Sequence, residues 1–470
     1  MSAITMRQPS LAAPEDRSFW LQDISAAAAT APLEGSTEAD VVIVGGGYTG
    51  LWTALRLREM APEVRVCVVE AGCCGSGASG RNGGQVHSWY AEIDALSAVV
   101  GDAEARRLCA ASADAIEELA TLQNSGVINM DLRLDGWLWT ASSSAQEGAW
   151  SRAASATAAA GAQRFRCLSA EEIARRTGSS ASYAGITEDR AGSVHPAKLA
   201  MGLRDLAIAR GVKVFETSPV RRIVPGRLCA VQTDRGELRA PKVVLAANAW
   251  LAGIPVLRRH MFVVQSQVIA TEPMPELLDT IGWKDGAAIC DSQRQVLYYQ
   301  RSVAGRVIFG HGSGKIAFRD DFGQEFNRSR ERGRANRAEL ARVYPILGDA
   351  EISHDWAGPV DCTADHMPIF DSLPGHPNIF FGLGFNGTGI AQTPVAGRIL
   401  ASLVLGRVNE WAQSGLVGGA RRKVLPPEPI RYCGARIVRA AVRRRNAAEI
   451  AGRSAGRLTR FLSDLTPGNG

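Results

Sequence analysis

One short segment constrains this chain more than any other: Asp40-Val-Val-Ile-Val-Gly45-Gly46-Gly47-Tyr48-Thr49-Gly50, with Glu70 twenty residues further on. It reads as an apolar strand, a glycine turn and a helix start, and a second apolar strand, Val64 to Val69, ends at the acid. That is the geometry that holds a dinucleotide. Gly45 permits the tight turn, Gly47 lets backbone N–H groups approach a pyrophosphate, and Gly50 lets the helix pack close to the sheet. The helix start, Tyr48 and Thr49, offers unpaired N–H groups and positive dipole character to phosphates. Glu70 is placed to accept from ribose hydroxyls. A glycine-rich turn with no ligand is the alternative; the flanking strand, helix and acid together weigh against it.

Bulk properties set the frame. A length of 470 residues suggests two or three domains, and 46% hydrophobic with 21% charged residues is the composition of a globular chain with a large core. No apolar run reaches the roughly 18 residues of a membrane span. Met1 to Asp16 carries one Arg and no apolar segment, so it is read as a flexible lead rather than a secretory signal, and a cytoplasmic location is expected. Nine cysteines without metal-like spacing read as reduced thiols, and seven dispersed histidines suggest no metal site. The net charge of +6 is concentrated in the tail: residues 421–460 hold twelve Lys or Arg against two Glu, so the remaining body is slightly acidic. A basic tail can bind nucleic acid or a membrane surface. An Arg-rich helix packed on the protein itself or on an oligomer partner is the preferred reading, with no nucleic-acid partner; the oligomeric state stays open.

Further along, residues 75–84 contain five glycines around the polar anchors Arg81 and Asn82, a loop suited to placing bare backbone against a large flat ligand. Helical spacing occupies 101–125 and 144–178, and Leu132 to Thr140 alternates like a strand, with Trp137 and Trp139 assigned to core. His195, at a turn, is read as structural; a helix from about Lys198 to Arg210 and a strand over Val212 to Phe215 follow. Val243 to Ala249 looks like a buried parallel strand, and 257–310 like alternating strands, including Val296–Arg301 and Arg306–Gly310. Helices are expected over 320–341 and 390–405, with a strand at 378–384 and a turn at 385–389. The fold class is α/β: a Rossmann-like cofactor domain (38–90, 190–250 and 350–408) interleaved with a mixed-sheet α+β substrate domain (91–189 and 251–349). An N-terminal lead (1–37) and a basic C-terminal extension (409–470) flank them.

The fingerprint at 41–50, Ser79-Gly-Arg-Asn-Gly-Gly84, the 243–249 strand, the Trp356 segment and Gly384–Gly389, in this order, resemble the FAD-dependent oxidoreductases of the D-amino-acid oxidase (DAO) type. Gly77-Ala-Ser-Gly-Arg-Asn-Gly-Gly-Gln85, Val194-His-Pro-Ala-Lys-Leu199 and Leu425-Pro-Pro-Glu-Pro-Ile-Arg-Tyr432 are similar to its gamma-glutamylputrescine oxidase subgroup. The resemblance implies FAD rather than NAD, a choice the fingerprint leaves open because both share an ADP half. It implies that Ala78, Ser79, Gly80, Arg81, Asn82, Gly83 and Gly84 run along the riboflavin portion. Ala71, Val220 and Ala247 join the cofactor contacts, Val220 at the adenine side. Gly384, Asn386, Gly387, Thr388, Gly389 and Ile390 face the pyrimidine end, where helix N–H groups stabilise negative charge on the reduced ring.

Three departures from the family pattern carry weight. Val360 stands where glycine and D-amino-acid oxidases have a carboxylate-clamping Arg. Ala391 stands where sarcosine oxidases have a carboxylate-binding Lys. The position matching their flavin-linking Cys is Gly358, with Cys362 elsewhere, so FAD is expected to be non-covalent. An α-carboxylate buried without a cation costs several kcal/mol, so simple α-amino acids are poor candidates unless Arg81 or Arg301 reaches in. The reaction implied is oxidation of the C–N bond of a small primary or secondary amine, gamma-glutamylputrescine-like, by hydride transfer to flavin N5. Imine hydrolysis then gives aldehyde and amine, and O2 reoxidises the flavin to give H2O2. The alternatives are an N-substituted amino acid or aminophosphonate as substrate, and a non-O2 acceptor, since no Lys lies near Ile308 where sarcosine oxidases activate O2. An NAD dehydrogenase and a catalytically silent relative are the remote readings. No catalytic base is nominated; the pocket candidates are His87, Trp89, Tyr298, Tyr299, Arg301, His311 and His366.

Overall fold

The computed structural model describes residues 3–9, 13, 16–24, 29–312, 314–319, 321–419 and 422–466. A six-stranded sheet runs in the order Lys213–Phe215, Val66–Val69, Val41–Val44, Lys242–Leu245, His376–Leu383, Ile369–Leu373. The first five are parallel and the last is an antiparallel edge. The Val41–Val44 and Val66–Val69 strands are buried throughout because both faces are covered. Val41, Ile43, Val66 and Val68 pack on Leu51, Leu55 and Ile399 of the Tyr48–Met60 and Thr393–Leu405 helices. Val42, Val44, Cys67 and Val69 face Ile223, Val231 and Leu238 of a five-stranded sheet on the other side. Successive side chains point to opposite faces, so an unbroken apolar run serves two cores.

A second, eight-stranded sheet has the order Ile352–Thr363, Met261–Thr271, Val307–His311, Leu297–Arg301, Ala288–Asp291, Trp137–Ala141, Ala184–Glu188, Phe165–Ser169. Its Met261–Thr271 strand pairs with Ile352–Thr363 along nearly its whole length. Residues 352–363 therefore belong to this sheet, and the border expected at 350 does not match the pairing; the six-stranded sheet resumes only at Ile369.

Other expectations are corrected by local chemistry. The described start of the lead is pinned rather than flexible: Ile4 and Thr5 pair with Ile223 and Arg222, and Met6 is buried. The 144–178 stretch breaks into helices Ser151–Ala159 and Ala170–Thr177 around the Phe165–Ser169 strand. The 320–341 stretch becomes helical only from Arg330, after a 3-10 turn at Gln324–Phe326. The helix expected from Ile390 starts at Thr393, where Pro394 suits the first turn. The Val243–Ala249 strand stops at Leu245, since Asn248 adopts φ +47°. In the tail, the Ile430–Ile450 helix packs on the body with Ala441 and Val442 buried. Among the described residues no helix is long and apolar enough to cross a membrane, and no cluster of three or more His, Cys, Asp or Glu is placed to hold a metal.

Candidate functional site

The turns at the C-terminal ends of the parallel strands open into one cavity of about 780 Å³. Its first end is built by Val44, Gly45, Val69, Glu70, Ala71 and Val220. Gly45 sits at φ +115°, and a Cβ there would lie 2.4 Å from the Ala246 carbonyl oxygen. Gly50 does not touch the cavity; it is the packing glycine, for its Cβ would lie 2.0 Å from the Gly45 carbonyl oxygen. The Glu70 carboxylate accepts the Gly46 N–H at 2.7 Å and the Gly72 N–H at 2.9 Å, and burial pushes its pKa up. The Ser76 hydroxyl also donates to one of these oxygens at 3.4 Å, and the other keeps a lone-pair direction open for a ribose hydroxyl.

In the middle, Gly47 caps the Tyr48–Met60 helix and, having no side chain, gives its N–H groups no cap bond of its own. The Tyr48 N–H donates to Ser79 Oγ at 2.9 Å. Gly47, Tyr48, Thr49, Ala78, Ser79, Arg81, Asn82 and Gly83 line the cavity. Asn82 holds the loop: its Nδ2 donates to the Ser79 carbonyl at 3.0 Å and its Oδ1 accepts the Gly84 N–H at 2.8 Å. Gly80 and Gly84 stand behind the lining, where a Cβ would meet the Gly75 carbonyl at 2.5 Å and the Val194 carbonyl at 2.3 Å. Arg81 donates from Nε to the Ser76 carbonyl at 2.8 Å and from Nη1 to Asn327 Oδ1 at 2.7 Å. It has no carboxylate partner among the described residues, and burial pulls its pKa down to about 10.

The far end is the turn of Phe385, Asn386, Gly387, Thr388, Gly389 and Ile390, with Ala247 and Asn248 beside it. Asn386 and Gly387 take φ of +55° and +89°, so the backbone bends sharply towards the Thr393–Leu405 helix. Asp361 ties this turn down. It accepts Asn248 Nδ2 at 2.7 Å and the Gly384 N–H, and its backbone carbonyl accepts the Asn386 N–H at 3.0 Å. Burial outweighs these donors and pushes its carboxyl up to about 7. Gly384 backs the turn; a Cβ there would lie 2.3 Å from Thr363 Cγ2. Cys362 faces the cavity with its thiol pushed up by burial.

This set fits FAD. An acid, an uncapped helix start, a glycine loop and a second glycine turn follow one another around a single elongated cleft. At Gly47 a Cβ would come within 2.9 Å of Ser79 Oγ and fill the space where a pyrophosphate would approach.

Of the pocket candidates, His87, Tyr298 and His366 line the cavity; Trp89, Tyr299, Arg301 and His311 do not. Strand alternation explains most of this. Tyr298 faces the cavity, its hydroxyl 2.7 Å from Ser266 Oγ, whereas Leu297, Tyr299 and Arg301 point to the opposite face. There Tyr299 stacks on Phe309 with ring centroids 5.2 Å apart, and Arg301 pairs with Asp279 at 2.6 Å. His311 is on the same side as Val307 and Phe309, and Trp89 is buried among the helices, its backbone N–H donating to Ser112 Oγ. His87 stacks on Trp137 at 4.6 Å, and burial pulls its pKa down to about 4. His366 is likewise pulled down by burial.

One side of the wall escaped the sequence reading: Phe262, Val264, Ser266 and Val268 alternate along one strand, beside Gly358, Val360 and Cys362 on its neighbour, which only the family resemblance had brought forward. The period-two pattern was visible, but not which face it presents. Ala391 is buried among the helices, outside the lining.

Alternation also sets a stability prediction. Tyr299→Ala, which empties an aromatic stack, is expected to cost about 3–5 kcal/mol. Tyr298→Phe, which loses one hydroxyl, is expected to cost about 1 kcal/mol. Denaturant unfolding of the two variants measures the difference, and equal losses would mean the strand faces are misassigned.

Comparison with known proteins gives a consistent set of findings. Residues 40–403 match the family profile described as DAO, FAD dependent oxidoreductase. Gamma-glutamylputrescine oxidoreductase of Escherichia coli is 31% identical over 377 residues, covering 80% of this chain and 85% of that protein. An oxidoreductase named OrdL from Haemophilus influenzae is 28% identical over 382 residues, with the same two coverages of 80% and 85%. Among solved structures, glycine oxidase from Geobacillus kaustophilus aligns with a TM-score of 0.64 at 21% identity, covering 79% of this chain and 96% of its own; the likeness is one of fold.

Proposed function

This chain belongs to the DAO family of FAD-dependent oxidoreductases acting on C–N donors, and from that premise we propose that its substrate is a small primary or secondary amine of the gamma-glutamylputrescine kind. The observation that carries the reading is the wall facing the 385–390 turn. Phe262, Val264, Val268 and Val360 make it apolar, and Val360 occupies the place where an α-carboxylate clamp would need a cation.

FAD bound non-covalently in the cleft supplies the two-electron acceptor for oxidation of the amine. The protein's own contribution is positioning and charge. Arg81, buried without a carboxylate partner, disfavours an ammonium ion beside it and so selects the neutral amine, whose lone pair drives imine formation. The N–H groups of Gly389 and Ile390 and the start of the Thr393–Leu405 helix favour negative charge at the far end. His87 stays neutral across the physiological range and can accept a hydrogen bond from the amine or from the water that hydrolyses the imine. The aromatic ring of Tyr298 and the valines exclude bulk water. O2 is the proposed acceptor, and all nine free cysteines fit a reducing, cytoplasmic setting.

A second reading, an N-substituted amino acid or aminophosphonate, is favoured by Arg81, which has the charge to meet an anion. Anaerobic mixing of the yellow enzyme with a panel of amines tests both. Bleaching by gamma-glutamylputrescine and related polyamine conjugates, but not by glycine or sarcosine, is the expected result. Bleaching confined to N-methyl amino acids or aminophosphonates would replace the first reading with the second. Readmission of air should restore colour with formation of H2O2; persistent reduced flavin would point to another acceptor.

A further inference from the structure

The cavity does not stop at the 385–390 turn. It continues beneath the Ile430–Ile450 helix, beyond the 40–403 stretch that matches the family. Ile430, Gly434, Val438 and Val442, spaced one turn apart, line it together with Arg439. Gly434 is exposed at the edge of this stretch, where a Cβ would meet no atom within 4 Å.

Arg439 differs from the paired arginines of this region. Arg431 pairs with Glu428 at 2.9 Å, Arg445 with Glu449 at 2.7 Å, and Arg294 with Asp464 at 2.6 Å. Arg439 forms no ion pair among the described residues, and its Nε is buried without a hydrogen-bond partner. The guanidinium groups of Arg443, Arg332 and Arg436 add like charge around it, against Glu331 alone, and burial pulls its pKa down to about 10. A half-buried guanidinium facing a cavity among like charges is better stabilised when something anionic meets it.

We propose that Arg439 binds an anionic group, a carboxylate in the first instance, carried by the amine substrate at the end remote from the oxidised C–N bond. The inference rests on the amine-oxidoreductase reading and names the substrate's second handle. Guanidinium geometry suits a carboxylate better than an ammonium does.

The test uses the FAD-loaded full chain and a matched pair of substrates: gamma-glutamylputrescine, which carries the distant carboxylate, and N-acetylputrescine, which lacks it. Arg439→Gln is expected to raise KM for the first by about 10- to 100-fold, with kcat within about threefold, and to leave KM for the second unchanged. Arg439→Lys should fall between. Gly434→Leu, which fills the open space and improves helix propensity, should raise KM for both long amines but not for butylamine. Equal effects of Arg439→Gln on the matched pair, or none on either, would overturn the proposal. Should no amine bleach the flavin, the functional reading fails by itself. Calorimetric titration with glutarate then still decides the role of Arg439: binding to the wild type that Arg439→Gln removes supports it, and unchanged or absent binding rejects it.

Discussion

Gly50→Ala is expected to purify colourless. The added methyl would sit 2.0 Å from the Gly45 carbonyl oxygen and 3.2 Å from Ile43 Cγ2. The oxygen is backbone, fixed by the turn between the Val41–Val44 strand and the helix, so no rotamer change relieves the clash. Relief requires the Tyr48–Met60 helix to move off the sheet, carrying its N-terminus away from the cleft. Overpacking of this kind costs about 1–3 kcal/mol or more in stability. The loss in cofactor affinity should be larger, about 100-fold or more, because the N–H groups at 47–49 are displaced from the phosphates. The flavin-to-protein absorbance ratio of purified protein, followed by titration with FAD, measures it. Gly456→Ala, where a Cβ meets nothing within 4 Å, is the control. Full flavin occupancy in Gly50→Ala would show that the helix start does not hold the cofactor.

Glu70→Ala should be nearly as severe. Its carboxylate accepts the Gly46 and Gly72 N–H groups, one on each side of the cleft's first end. Truncation orphans both, and an unsatisfied buried donor costs about 1–3 kcal/mol. The ribose contact goes as well. FAD affinity should fall by about 100-fold or more, read by quenching of flavin fluorescence on titration into apoprotein, with a lowered unfolding midpoint. Glu70→Gln keeps one acceptor oxygen but sets an NH2 group against a backbone N–H, so its affinity should lie between. If Glu70→Ala binds FAD like wild type, the acid holds the turn and nothing more.

The readability of this molecule from its sequence divides along physical lines. Features fixed by backbone sterics were legible, because glycine spacing and an unbroken apolar run follow from local rules. Gly45, Gly47, Glu70, Ser79, Asn82, Gly387 and Thr388 meet at one cleft. Gly50, Gly80, Gly84 and Gly384 work one layer behind it, a distinction that only packing reveals. Side chains on the eight-stranded sheet were harder. Tyr298 and Tyr299 are adjacent in sequence and cannot share a face, but which one turns inward depends on pairing with strands far away in the chain. The same dependence hid the alternating Phe262–Val268 wall. For the Arg-rich tail, composition indicated a packed helix and gave no indication of what it packs over. Arg439 becomes distinctive only when its unpartnered, buried Nε and its place on the cavity wall are seen together.

One consequence concerns how such a cleft comes into being. Met6, Arg7 and Pro9 line it at one edge and Leu465 and Thr466 at another, with contributions from segments within 44–87, 220–316 and 358–442 between. Contacts that distant in the chain form late, because loop closure opposes them until most of the native topology is in place. Flavin capture during biosynthesis is therefore a terminal event: the nucleotide fingerprint emerges from the ribosome early, but it has no enclosed chamber to offer until the last helices have docked.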